Sequence, residues 1–275
     1  MQIRLLTFVV VALMTAARAD AQFNVSDPAS GENFHVELGL MFWTPTPVLE
    51  IQTGGLAALG VAEVDLVQEF AIENQRFNEF RAVLKAGRKH KIRISYVPIE
   101  YNEQATLQRT ITFGGVTFPV SVPATALVTW NLWRFGYEWD FVSADRGLVG
   151  FITELKHNRL SAELAATGLG SEATEVTAPI LAIGGIARVY PHRNFSLTAE
   201  FTGFKVFGFV RSLTNAIAED LEAKMYDLDL YGTVSFGPHL GAQGGYRSVT
   251  AEYLVDEDSG NLKMKGLYFG GLVRF

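Results

Sequence analysis

The chain of 275 residues contains no cysteine, and beyond its first twenty or so residues it has no apolar run long enough to cross a membrane as a helix. The first absence removes a disulfide-stapled fold and any lipid anchor attached through cysteine. The second removes a polytopic helical membrane protein, which needs roughly 20 consecutive apolar residues per span. Basic charge is also scarce: 23 Lys and Arg against 29 Asp and Glu give a formal net charge of −6, the wrong sign for a nucleic-acid partner. P-loop, GxSxG and paired metal-ligand signatures are missing, so no cofactor or metal is expected. Set against these absences, the chain is 48% hydrophobic and 12% aromatic, with 20 phenylalanines and 26 glycines, which excludes disorder and collagen.

Residues 1–21 have the three parts of a secretory signal: Arg4 in a short basic start, an apolar core from Leu5 to Met14, and Ala19-Asp20-Ala21 as a small-x-small cleavage site. The mature chain is expected to begin at Gln22, with 22–33 as an N-terminal periplasmic segment and 34–275 as the folded domain.

That domain is organised in twos. In Trp133-Arg134-Phe135-Gly136-Tyr137-Glu138-Trp139-Asp140-Phe141 every odd residue is aromatic and every even one is charged or glycine, a strand with one greasy and one polar face. Ile92, Ile94 and Tyr96 alternate with Lys91, Arg93 and Ser95, and Leu197, Ala199 and Phe201 with Ser196, Thr198 and Glu200. Repeated segments of about 10 residues with this dyad pattern signify a transmembrane β-barrel, apolar toward lipid and polar within. Tight connections at 87–89, 143–146, 191–194 and 237–239 separate longer irregular stretches at 46–75, 102–125, 158–178 and 207–222, plus an acidic turn at 256–260. Short turns on the periplasmic rim and long loops on the other give ten antiparallel strands: 34–45, 76–86, 90–101, 127–142, 147–158, 179–190, 195–206, 224–236, 240–254 and 262–275. Eight and twelve strands remain alternatives. For the second strand, 76–86, one long strand or two shorter ones over Val64 to Lys85 are the alternatives, and residues 107–122 read as a hairpin about Gly114-Gly115 standing above the membrane.

By parity the inward positions carry Glu37, Glu79, Glu138, Asp140, Glu154, Glu200, Asp227 and Asp229, and Arg81, Lys85, Lys91, Arg93, Arg134, Lys156, Arg188, Arg247 and Arg274. Nearly equal numbers of both signs suit pairing across a narrow lumen better than an ion-selective constriction. The expectation is a charge network that plugs the barrel, centred on Arg134 with Glu138 or Asp140. A narrow solute path is the alternative.

Walking back by twos from Phe275 gives Val273, Gly271, Phe269 and Leu267. Gly270, Val273 and Phe275 occupy the glycine, hydrophobe and terminal aromatic of a pattern that resembles the C-terminal assembly signal of bacterial outer-membrane β-barrel proteins, and the mature chain looks like the large, poorly characterised group of small barrels of that kind. The resemblance implies location in the cell outer membrane, contact with outer-membrane lipid and insertion by the barrel assembly machinery; the expected role is structural or one of interaction, with a narrow porin-like channel and then a loop-side hydrolase as alternatives. Omptin-type proteases also have ten strands, but no recognisable acidic pair and Asp–His arrangement stands on the loop side. His90, His192 and His239 fall at periplasmic turns, His35 faces inward beside Glu37, and His157 with Ser161 opens an extracellular loop at a spacing that matches no hydrolase motif. No catalytic residue is assigned, and the extracellular ligand is unknown.

Overall fold

The computed structural model describes residues 29–52, 64–113, 116–205, 222–255 and 258–275. The signal segment, residues 54–60, the hairpin tip at 114–115, residues 207–221 and the start of the acidic turn, 256–257, lie outside the described residues. A 3-10 turn (Ser30–Glu32) precedes β1 (Val36–Gln52), β2 (Val64–Asp65), α1 (Leu66–Phe70), β3 (Phe77–Gly87), β4 (His90–Thr106), β5 (Ile111–Phe113), β6 (Val116–Phe118) and β7 (Pro123–Ala144). After these come β8 (Gly147–Ala166), β9 (Gly170–His192), β10 (Phe195–Lys205), β11 (Glu222–Ser235), β12 (Leu240–Val255) and β13 (Asp258–Arg274).

Ten strands close in the order β1-β3-β4-β7-β8-β9-β10-β11-β12-β13, and β13 returns to β1. All of these pairings are antiparallel, with the seam running from Glu37 opposite Arg274 to Gln52 opposite Ser259. Closure satisfies every strand edge, as hydrocarbon requires. No helix among the described residues is long and apolar enough to cross a membrane. Near one end of the barrel, Leu38, Leu40, Phe80, Ile92, Ile94, Phe135, Trp139, Phe151, Leu197, Phe201, Leu230, Phe269 and Val273 are exposed on the outer wall. The outward stretch Leu267–Phe275 of β13 covers about 20 Å at ordinary strand rise and tilt, close to the band of about 25 Å that such barrels present to lipid.

The strands continue well past this band, and there the expected boundaries fail. β1 runs on to Gln52, β4 to Thr106, β7 begins at Pro123, and β8 and β9 meet at a three-residue turn, 167–169, where an irregular loop was expected from 158 to 178. Similarly, β13 begins at Asp258 and takes in residues 258–260 of the acidic turn. The reason is a reversal of phase. On β7, charged residues face inward as far as Arg134, but the next inward positions, Leu132, Trp130, Val128, Ala126 and Ala124, are apolar and buried. Their outward neighbours Asn131, Thr129 and Thr125 are polar. On β4 the inward face changes from Lys91, Arg93 and Ser95 to Val97, Ile99 and Tyr101, and on β8 from Glu154, Lys156 and Asn158 to Leu160, Ala162 and Leu164. The membrane part is apolar outside and charged within, while the projecting part is polar outside and apolar within.

The second strand lies where it was expected, as β3, and ahead of it Val64 to Phe70 gives the two-residue β2 and the short α1 in place of a longer or additional barrel strand. The Asp65 carboxylate starts α1 by accepting from the backbone N–H groups of Val67 and Gln68 at 3.0 and 3.1 Å, an N-cap. The hairpin at 107–122 is real, with β5 and β6 paired. Instead of standing free, it packs Leu107, Ile111, Phe113 and Phe118 into the apolar interior together with Leu66 and Phe70 of α1.

Candidate functional site

The lumen contains two ion-pair clusters, and further side chains gather at each of its ends. Mid-barrel, Glu79 on β3 is fully buried and accepts from Arg81 at 2.9 Å, Arg134 at 2.5 Å and Arg247 at 3.0 Å. Across from it, Asp227 on β11 accepts from Arg134 and Lys156, each at 3.0 Å, and from Arg247 Nε and Nη2 at 3.1 and 2.9 Å. Arg81 reaches Asp229 at 3.0 Å, the Tyr268 hydroxyl donates to the same carboxylate at 2.8 Å, and Lys156 lies 3.3 Å from Glu154. Side chains from β3, β7, β8, β11 and β12 are thereby tied across the barrel. Arginine's planar fork lets one cation satisfy two carboxylates, which makes burying these charges tolerable.

Toward the short-turn end, Glu138 accepts from Lys91 at 2.8 Å and Arg93 at 3.0 Å, and Asp140 pairs with Lys91 at 2.9 Å. Glu200 accepts from Arg93 and the Tyr231 hydroxyl, each at 2.5 Å. Arg188 donates to Thr198 and Tyr231, and Arg274 to Glu37 and Ser235. All the inward charges expected from parity therefore belong to one of these contacts or to the closure described next. The expected centre does not form: Arg134 binds Glu79, Asp227 and Ser95 in place of Glu138 or Asp140. Residues four apart on one strand are about 13 Å from each other, so partners across the lumen are nearer than those along it.

Sequence reading missed Glu32. The turn Ser30–Glu32 is inserted into the short-turn mouth, with Ala29, Gly31 and Phe34 buried. It crosses to the β9–β10 connection, five strands round from β1, where the Ser30 N–H donates to the Arg193 carbonyl at 3.0 Å and the Ser30 hydroxyl to Asn194 at 2.7 Å. The Glu32 carboxylate accepts from Arg188 at 2.6 Å, the Tyr190 hydroxyl at 2.8 Å and Lys85 at 3.1 Å, and lies 3.4 Å from Lys91. Burial opposes its charge, but Lys91, Arg188 and Lys85 outweigh that and hold the carboxyl well below the ordinary glutamate range. His35 is a second correction: it precedes β1 and is exposed, with no lumenal contact to Glu37.

At the other end, Leu66, Phe70, Leu107, Ile111, Phe113 and Phe118 fill the space between the projecting strands against Val97, Ile99, Trp130 and Leu164. Arg109 pairs with Glu69 across the top. Between these two ends a cavity of about 40 Å³ is lined by Arg81, Lys91, Arg93, Glu138, Arg188 and Tyr231 among others, room for a few waters. Larger hollows lie elsewhere: about 540 Å³ on the outer wall by Val189, Leu197 and Leu230, and about 330 Å³ beside Glu32 and Lys85 at the short-turn rim.

All five histidines are exposed. His35, His90, His192 and His239 lie at the short-turn end, and His157 is on the outer wall of β8, in strand rather than at the start of a loop. His157 and Ser161 are again four residues apart on one strand, too far for hydrogen bonding.

No protein-family profile matches the chain, nor does any curated protein sequence. Among solved structures, the outer-membrane protease OmpT of Escherichia coli is similar over 89% of this chain and 97% of its own, at 8% identity and a TM-score of 0.54. Ail, the attachment invasion locus protein of Yersinia pestis, matches at 10% identity over 88% and 99% with a TM-score of 0.39. The toluene transporter TodX of P. putida matches at 8% identity over 91% and 93% with a TM-score of 0.35. The chain has the fold of a bacterial outer-membrane β-barrel. At such identities the likeness concerns fold alone.

Proposed function

We propose that the protein is a non-conducting outer-membrane barrel with a structural or interaction role, presenting its projecting β-body to the exterior. What supports this reading is the packing at the two ends: Glu32 and Phe34 sit in one mouth and α1 and the β5–β6 hairpin in the other, with a cavity of about 40 Å³ between them. On this reading the short turns face the periplasm. The chain is exported by its N-terminal signal and inserted by the barrel assembly machinery, which recognises Gly270, Val273 and Phe275. No catalytic step is assigned, because the projecting end carries no histidine inside its mouth among the described residues and the ionised lumen groups are engaged with one another. Planar-bilayer recording of the refolded mature chain tests the proposal. The expected record shows no steady conductance; a steady one of porin size would overturn closure in favour of a narrow solute path.

A further inference from the structure

We propose that the short-turn end of the lumen is a carboxylate-binding site whose resident occupant is the chain's own Glu32. Four donors from three strands converge there: Lys85 of β3, Lys91 of β4, and Arg188 and Tyr190 of β9. Their side chains are largely shielded from solvent, and the strands that carry them are paired without help from the N-terminal segment. The backbone positions of the four donors are therefore set independently of Glu32.

Charge explains why it must be filled. Near this end the strands contribute Lys85, Lys91, Arg93 and Arg188 against Glu138, Asp140 and Glu200. One cation is left over, and a buried unpaired cation is costly. Glu32 supplies the missing anion from outside the barrel, on a three-residue turn. The turn fits closely: a Cβ on Gly31 would sit 2.9 Å from the Tyr190 hydroxyl oxygen. A hollow of about 330 Å³ lined by Glu32, Asn33, Phe34, Lys85, Arg88 and Ser143 opens beside the cradle at the rim, giving a free carboxylate a way in. Arg188 and Tyr190 offer directed donors to one carboxylate oxygen and the two lysines approach the other, so a planar carboxylate is favoured over a spherical anion. The segment is thus a tethered ligand, and an external carboxylate of sufficient affinity takes its place.

The test is chemical rescue. Glu32→Ala removes the length of one acetate, and the refolded mature variant is melted in detergent micelles with sodium acetate or with sodium chloride at equal ionic strength. Acetate is expected to raise its Tm in a saturating manner by a few degrees more than chloride, on the order expected for a ligand bound only by the folded state. No such gain is expected for the wild type or for Glu32→Ala combined with Arg188→Gln. Equal stabilisation by chloride, no gain with acetate, or the same gain without Arg188 would overturn the proposal. Should Glu32→Ala fail to fold, Gly31→Ala keeps every charge while loosening the turn. Acetate should then speed amide exchange at Ser30 and Glu32 more than chloride does, and equal exchange in the two salts would overturn the site. These readouts do not depend on conduction, because the apolar closure at the far end is untouched by either substitution.

Discussion

Arg247 and Gly270 illustrate, at the scale of single residues, how the two faces of a strand are constrained. Arg247 is fully buried, holds Asp227 and Glu79 together, and lies 5.2 Å from the centre of the Trp43 ring. Removing one member of such a set leaves the others charged and unpaired, so Arg247→Ala is expected to lose about 3–5 kcal/mol, measurable by urea unfolding in micelles. Gly270 faces inward at the seam, where a Cβ would come within 2.1 Å of the Leu40 carbonyl oxygen and 2.7 Å of Met41 Cα. Backbone cannot yield as a side-chain tip does, so Gly270→Ala should cost about 3 kcal/mol or more and deplete the compact, heat-modifiable form on gels. The glycine expected from the terminal pattern thus has a steric role of its own in closing the barrel. For Glu32, the folded value lies below the unfolded one of about 4.5. Its stabilising contribution is therefore complete above that value and lost as pH falls toward the folded value. Amide protection at Ser30 and Glu32 should decline on acidification below about pH 4.5 before the strands open.

Parity was a sound guide to elements and a poor one to their ends. Ten strands, their order and the inward placement of Glu79, Arg134, Asp227 and Arg247 were legible because alternation depends only on which face meets lipid. Strand ends were not legible because that rule stops at the interface. Leu160, Ala162 and Leu164 continue β8, but they are apolar on the face where charge had been, so a search for outward hydrophobes treats them as loop. A signal was available, since the alternation continues in opposite phase. Partner choice within the lumen was hidden for another reason: parity assigns Arg134 a face, while the identity of the carboxylate opposite depends on the stagger of strands around the barrel. Glu32 was invisible because it precedes the first strand, where no period operates. The projecting part, being built like a soluble protein, should respond to core truncation like one. Phe118 is fully buried in the apolar cluster that also holds residues of α1 and β7, and Phe118→Ala is expected to cost about 3–5 kcal/mol. The loss should be local, seen as faster amide exchange at the tops of β4 and β7 while the lower ends of the same strands stay protected.

The whole molecule is a tube whose inside and outside exchange character at one level. Around Phe42, Tyr96, Trp133 and Leu155 the outward face passes from apolar to polar, and at nearly the same height Trp43, Val97, Leu132 and Leu160 begin the apolar interior. Tyr96 stacks on Trp133 with ring centres 4.3 Å apart, and Phe42 lies 5.6 Å from Phe269, placing aromatic rings where a headgroup region would be. The chain in effect carries its own waterline. A barrel that was merely greasy outside could ride higher or lower as bilayer thickness changed. Here, sinking would press Asn131, Arg159 and Glu163 toward hydrocarbon, and rising would wet Phe135 and Leu155. Depth is fixed from both sides, so in a bilayer of the wrong thickness the lipid must bend to meet the protein.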